Sequence, residues 1–195
     1  GTAPAMTLDI KICGLKTPEA LDAALAGGAS HVGFIFFPKS LRNVDIETAA
    51  RLRHLASGRA QAVAVTVDAD DEMLDRIVEG MRPDVLQLHG HERPVRVEAL
   101  KRRYHLPVMK AVSVREASDL EVLPAYRGVA DRFLLDAKPP AGAELPGGNG
   151  IPFDWSLLAS LDGKVDYMLS GGLSAVNIGE ALSIARPRGT DISSG

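Results

Sequence analysis

Residues 8–14 read LDIKICG, a short apolar run that ends beside the single cysteine of the chain, Cys13. Shortly after it, Thr17 can cap a helix and Pro18 suits the first helical position. Cys13 therefore stands where a predicted strand passes through a loop into a helix. In folds built from repeated strands and helices, functional residues collect at that end of the strand. A lone cysteine is otherwise a small buried apolar residue, so both interpretations stay open at this point.

The same alternation of strand and helix continues to the last residue. Apolar runs predict eight strands, at 8–12, 31–37, 60–67, 85–89, 107–112, 132–136, 165–169 and 190–193. Seven helical patterns lie between them, of which the fifth, over 115–126, is the weakest. This order predicts an α/β fold, a (β/α)8 TIM barrel with parallel strands whose final helix is missing. An open doubly wound sheet is the alternative, although no G-x-G-x-x-G motif follows the first strand.

Length and composition indicate one globular domain. The chain has 195 residues, of which 46% are hydrophobic and 24% charged, and a net charge of −3. We expect residues 1–7 to be a disordered N-terminal remnant and residues 8–195 to form a single barrel domain, truncated at the eighth strand. The composition shows no basic run for nucleic acid and no apolar run of the roughly 20 residues that span a membrane. One cysteine favours a reducing, cytoplasmic setting, and the sequence leaves open a monomer or a homodimer.

Polar residues stand at the carboxyl ends of several strands, which a barrel brings to one mouth. They are Cys13, His89, Asp136 and Ser170, with Arg42 in the loop after the second strand. Because residues two apart on a strand share a face, Lys11 points inward if Cys13 does. Lys110 is a second candidate for an interior cation, and Asp191 is its expected partner. Such interior pairs can also be purely structural.

Glycine and serine follow the seventh and eighth strands, whose loops commonly hold phosphate in barrels. Gly171 and Gly172 precede a helix start, where backbone N–H groups favour an anion. Ser193, Ser194 and Gly195 end the chain. Together the two loops predict a phosphorylated small-molecule ligand. The histidines show no metal-ligand spacing, so neither a metal nor a cofactor is expected.

Seven short motifs run in order along the chain. They are KICG at 11–14, GF at 33–34 with PKSLR at 38–42, QLHG at 87–90, LLD at 134–136, FDW at 153–155, SGGL at 170–173 and DISSG at 191–195. Together they resemble the phosphoribosylanthranilate isomerase family of tryptophan biosynthesis, over essentially the whole chain. The resemblance implies a β/α barrel that catalyses the Amadori rearrangement of N-(5-phosphoribosyl)anthranilate by general acid–base catalysis.

The resemblance also implies roles for individual residues. Cys13 matches the family's general base, Asp136 its general acid, and Arg42 the residue that holds the anthranilate carboxylate. His89 either binds substrate or is a strand-end histidine with a structural role. We expect desolvation and the substrate's negative charge to raise the pKa of Asp136 toward neutrality. We expect Lys11, or the helix that follows, to favour the Cys13 thiolate.

Two features depart from the family pattern. Ile151 and Pro152 stand where members usually carry a polar residue, often lysine, after the glycine run. The chain also ends where members continue into a final helix, so phosphate binding at the eighth loop is expected to be impaired. Two other functions remain in view: another aminoaldose or sugar-phosphate isomerase, such as the histidine-pathway enzyme with its paired aspartates, and a phosphate-binding barrel without catalysis.

Overall fold

The computed structural model describes residues 7–139 and 153–193. Within them, eight parallel strands form a closed barrel in chain order. The strands are β1 (Asp9–Cys13), β2 (His31–Phe36), β3 (Gln61–Thr66), β4 (Val85–Leu88), β5 (Val108–Val114), β6 (Arg132–Ala137), β7 (Tyr167–Ser170) and β8 (Gly189–Ser193). Because β8 pairs with β1 as well as with β7, the predicted TIM barrel is confirmed and the open doubly wound sheet is excluded.

Helices connect the strands on the outside of the barrel. Those in the described part of the chain are α1 (Pro18–Ala26), α2 (Ile46–Ala56), α3 (Asp71–Met81), α4 (Pro94–Tyr104), α5 (Leu123–Tyr126), α6 (Ser156–Ala159) and α7 (Ile178–Ala185). The first three begin at Thr17, Asp45 and Asp70, whose side chains each accept a backbone N–H from the first turn.

The fifth connection differs from the sequence prediction. Instead of one helix over 115–126, a 3-10 helix (Ala117–Val122) leads into the single turn of α5. Pro124 lies in that first turn and has no N–H to donate, which prevents a continuous helix across the segment.

The apolar core lies both inside the barrel and between the barrel and its helices. Inside, a cluster of buried side chains includes Val63, Met109, Leu134 and Met168. Near the amino end of the barrel, the Arg132 guanidinium forms ion pairs of 2.9 Å with Asp9 and 2.8 Å with Asp166. Apolar packing and ion pairs therefore occupy the interior and the amino end, and the carboxyl end is left for a binding site.

Two lysines are buried, Lys11 inside the barrel and Lys110 between the strands and the helices that surround them. Lys11 points inward, as its spacing from Cys13 predicts, and its Nζ lies 2.9 Å from Asp191 Oδ1. The predicted pairing of Lys110 with Asp191 is wrong, because Lys110 Nζ lies 3.1 Å from Glu92 Oε1 instead. The prediction that Lys110 is an interior cation is also wrong, because Met109 and Ala111 on either side of it face the inside of the barrel and Lys110 therefore faces the helices. Lys11, in contrast, stands opposite Asp191 in the β1–β8 ladder.

Candidate active site

A cavity of about 670 Å³ opens at the carboxyl end of the barrel. Six of the predicted site residues line it: Cys13, His89, Asp136, Gly171, Gly172 and Ser193. Arg42 lines an adjoining cavity of about 630 Å³, and Ser40 borders both. Ser194 and Gly195 lie outside the described residues. The fold therefore gathers residues from both halves of the sequence around one space.

The cavity has an apolar side and a polar side. Ile35, Phe37, Val65 and Val67 line it on β2, β3 and the loops that follow them. The glycines after β7 and Ser193 at the end of β8 line it on the other side. A ligand with an aromatic group at one end and a phosphate at the other matches this division.

Cys13 is the last residue of β1 and its side chain is buried. Gly33 stands opposite it on β2, and a Cβ at Gly33 would lie 3.0 Å from Cys13 Sγ, so the glycine leaves room for the sulfur. Burial raises the pKa of the Cys13 thiol, although Lys11 and Arg42 act to lower it. Lys11 favours the thiolate, as expected. The pKa of Cys13 is nevertheless raised overall, because desolvation outweighs the nearby cation.

Asp136 faces two basic side chains. Its Oδ2 lies 3.2 Å from Lys138 Nζ and 3.8 Å from His89 Nε2. Burial acts to raise the pKa of Asp136, but His89 and Lys138 outweigh it and lower the pKa. The expected rise is therefore wrong for the protein without substrate. Lys138 is a site residue that the sequence prediction lacks, although its position two residues after Asp136 marks it as a neighbour on the same side.

The interior ion pair extends to the cavity. Asp191 lines it, and Ser170 donates a hydrogen bond of 3.1 Å to Asp191 Oδ2. Burial acts to lower the pKa of Lys11, yet Asp191 and Cys13 raise it overall. A Lys11 cation therefore stays next to the cavity floor, with Asp191 as its counter-ion.

The glycines after β7 are needed by the fold itself. Gly171 has φ of +97°, and a Cβ there would lie 2.1 Å from the carbonyl oxygen of Ala137. Gly172 has φ of +63°, and a Cβ there would meet no atom of the described residues within 4 Å. Asn177 then orders the turn into α7 by donating to the Gly172 carbonyl at 2.8 Å. The missing Cβ at Gly171 therefore lets this loop pack directly against the backbone of Ala137.

The described residues offer neither a metal centre nor a membrane span. Among residues 7–139 and 153–193, no group of three or more His, Cys, Asp or Glu side chains is arranged to hold a metal ion. No helix in that part of the chain has the length and apolar character needed to cross a membrane.

Comparison with known proteins identifies the family. Residues 10–195 match the profile of N-(5′-phosphoribosyl)anthranilate (PRA) isomerase. The chain belongs to the PRA isomerase family. This confirms the resemblance carried by the seven motifs, and it makes the chain an isomerase of tryptophan biosynthesis.

Individual PRA isomerases support the assignment. The chain is 95% identical to the enzyme of Chelativorans sp. (strain BNC1) over 190 residues, which are 97% of this chain and 87% of the relative. The crystal structure of the Thermotoga maritima isomerase superimposes with a TM-score of 0.85 at 33% identity, covering 97% of this chain and 89% of that one. A PRA isomerase in complex with reduced 1-(o-carboxyphenylamino)-1-deoxyribulose 5-phosphate gives a TM-score of 0.82 at 30% identity, covering 97% of this chain and 88% of that one.

Proposed function

We propose that this chain catalyses the Amadori rearrangement of N-(5-phosphoribosyl)anthranilate to 1-(2-carboxyphenylamino)-1-deoxyribulose 5-phosphate, with Cys13 as general base and Asp136 as general acid. The observation that carries these roles is that the two side chains, from opposite parts of the sequence, line the same cavity. Acid–base catalysis of this kind requires both groups to reach one small sugar.

The division of the cavity suggests how the substrate lies in it. The phosphate is bound by the loops after β7 and β8, through Gly171, Gly172 and Ser193, with Ser194 and Gly195 beyond. The anthranilate ring lies against the apolar side, and Arg42 in the adjoining cavity binds its carboxylate. In support, the related isomerase that was solved as a complex holds a compound with both a carboxyphenyl group and a 5-phosphate.

The reaction moves protons without net gain or loss. Asp136 donates its proton to the ring oxygen, the bond between C1 and that oxygen breaks, and an iminium forms between C1 and the anthranilate nitrogen. The Cys13 thiolate then takes the C2 proton, which the iminium has made acidic, and an enolamine results. Ketonisation transfers a proton from the C2 hydroxyl to solvent or protein and adds one to C1. His89 binds substrate beside Asp136.

The protonation states of the free protein oppose these roles. The lowered pKa of Asp136 favours the carboxylate, and the raised pKa of Cys13 favours the thiol. The reactive form has a protonated Asp136 and a Cys13 thiolate, and it carries one proton in total, as does the form with a carboxylate and a thiol. The two forms are therefore in equilibrium at the same pH, and the reactive form is the minor one. A bell-shaped pH dependence is still expected, and its acidic limb reports Asp136. Substrate that separates Lys138 from Asp136 increases the reactive form.

The test is turnover of phosphoribosylanthranilate by the wild type and by Cys13→Ala and Asp136→Asn. Each variant should lose at least about 10²-fold in kcat, which is the usual contribution of one acid or base. Affinity for the reduced product analogue, measured by calorimetry, should change much less. Full activity in both variants would remove the assigned roles, whereas no turnover by the wild type would remove the function.

The setting of the enzyme is part of the same proposal. A cytoplasmic location rests on the single cysteine, which suits a reducing compartment. Both a monomer and a homodimer are compatible with a site built from one chain, and one Thermotoga maritima structure is described as monomers of a dimeric isomerase. Light scattering of the purified protein distinguishes the two states.

A further inference from the structure

We propose that Gln87 is a positioning residue of the isomerase: its side-chain amide fixes the ring of His89 so that Nε2–H points at Asp136. This inference deepens the proposed function and rests on the role of Asp136 in it. Gln87 belongs to the QLHG motif, for which the sequence alone suggests no separate role.

The backbone of His89 is held from both sides. Its N–H donates to the Thr66 carbonyl at 2.8 Å. The next residue, Gly90, donates its N–H to Glu92 Oε1 at 2.8 Å, and its carbonyl accepts from Lys110 Nζ at 2.8 Å. What remains to be set is the orientation of the imidazole ring and the nitrogen that carries its proton.

Gln87 is placed to set both. It lies two residues before His89, on the same face of the chain, and is 1% exposed. Its Nε2 lies 3.0 Å from His89 Nδ1. With the amide nitrogen toward the ring, Gln87 donates and Nδ1 accepts, which puts the single proton of a neutral His89 ring on Nε2. His89 Nε2 in turn faces Asp136 Oδ2 at 3.8 Å, within a small closing movement of a hydrogen bond.

The reverse arrangement is electrostatically worse. If the amide were turned, Gln87 Oε1 would require a proton on Nδ1, and the bare Nε2 lone pair of neutral His89 would face the Asp136 carboxylate. Two acceptors facing each other repel, whereas Nε2–H and the carboxylate attract. The contact with Asp136 and the contact with Gln87 therefore select the same tautomer.

The amide of Gln87 has no other use within the described residues. Its Oε1 is buried without a hydrogen-bond partner in residues 7–139 and 153–193. Burying an unpaired carbonyl oxygen costs free energy, and an apolar side chain of the same length would avoid that cost. A structural role alone therefore favours methionine at this position, and the contact with His89 explains the amide.

The other titratable groups around His89 either form ion pairs with one another or line the cavity. They are Asp136 and Lys138 from the β6 side, Cys13 from β1, Asp191 from β8 with Lys11 as its partner, His91 paired with Asp68 beside the same loop, and Lys110 paired with Glu92 from β5. None of these pairings involves His89 Nδ1, which instead lies against the Gln87 amide.

The test compares Gln87→Met with Gln61→Met. These are the two glutamines of the chain, and Gln61 is exposed at the start of β3, away from His89, so it controls for the same chemical change. The ¹⁵N spectrum of the histidine rings, with His89 assigned by loss of its signal in His89→Asn, should show the Nε2–H tautomer in the wild type and in Gln61→Met. Gln87→Met should show a larger share of the Nδ1–H tautomer, because only Asp136, at 3.8 Å, still favours Nε2–H.

Kinetics supply the second measurement. In Gln87→Met, kcat should fall roughly tenfold with a smaller change in KM, because His89 no longer stabilises the negative charge that Asp136 gains on donating its proton. The acidic limb of kcat/KM should move to higher pH, because a freely turning His89 no longer stabilises the Asp136 carboxylate. A merely structural role would lower the melting temperature and leave the tautomer and the pH profile unchanged.

Each outcome decides the matter. An Nδ1–H tautomer in the wild type overturns the inference even if Gln87→Met does not fold. An active wild type with an unchanged tautomer and pH profile in Gln87→Met also overturns it, and leaves the proposed function standing. A wild type without turnover defeats the proposed function, and the spectrum still reports whether Gln87 sets the ring.

Discussion

The buried pair of Lys11 and Asp191 allows a sharp prediction about stability. Lys11 is 0% exposed and Asp191 8% exposed, with 2.9 Å between Lys11 Nζ and Asp191 Oδ1. In Lys11→Met the Asp191 carboxylate keeps the hydroxyl of Ser170 but loses its cation. Leaving a buried charge without its counter-ion costs about 3–5 kcal/mol. We therefore expect the free energy of unfolding to fall by that amount.

A surface pair of equal length provides the matched control. Lys101 Nζ also lies 2.9 Å from a carboxylate oxygen, that of Asp131, but the two side chains are 32% and 43% exposed. Lys101→Met should cost at most about 1 kcal/mol, because water solvates the remaining charge. Since the distances agree, the difference between the two variants isolates the effect of burial.

The assay is urea unfolding at neutral pH, followed by circular dichroism. With slopes of about 1–3 kcal/mol per molar urea, Lys11→Met should lower the midpoint by more than about 1 M, and Lys101→Met by much less. Adding Asp191→Asn to Lys11→Met should recover part of the loss, because the unpaired charge is then gone. Equal small losses in the two single variants, or strict additivity in the double variant, would refute the reasoning.

Four further predictions concern the site. Lys138→Met should raise the pKa of Asp136 and move the acidic limb of kcat/KM to higher pH, whereas Lys164→Met, at an exposed site, should leave it in place. Gly172→Ala should cost about 1–2 kcal/mol of unfolding free energy from its left-handed backbone alone. Gly171→Ala should cost more and also reduce kcat, because its Cβ would lie 2.9 Å from Asp136 Oδ1 as well as against Ala137. Arg42→Met should weaken binding of the reduced product analogue by about 2–4 kcal/mol, the value for a desolvated charge-assisted contact, and unchanged calorimetric affinity would exclude that contact.

The lowered pKa of Asp136 also makes the stability of the folded protein depend on pH in the acidic range. The pKa of Asp136 is lowered in the folded protein, so its ionisation contributes stability above the pKa of the unfolded chain, and that contribution is lost as the pH falls. In Lys138→Met the same loss should be smaller, because less of the lowering remains. Thermal unfolding of both proteins across the acidic range measures the difference.

The local sequence pattern alone is enough to predict the strands, most of the helices and the end of the barrel at which the site lies. The strand from Asp9 to Cys13, the cap at Thr17 and the glycines at 171 and 172 depend on near neighbours in the chain, which the sequence displays directly. Strand ends converge in any closed barrel, so placing Cys13 and Asp136 at one mouth requires only the order of the elements. The predicted helix over 115–126 is wrong, because a single proline, Pro124, outweighs the apolar spacing.

Partners and protonation are decided by the tertiary structure. Which lysine meets Asp191 depends on the register between β1 and β8, which brings together residues from the two ends of the chain. The pKa of Cys13 rises because the closed barrel removes water from the thiol, and the pKa of Asp136 falls because His89 and Lys138 converge on it. Desolvation and through-space charge act over distances that are set only when the chain has folded, so no reading of neighbouring residues could supply them.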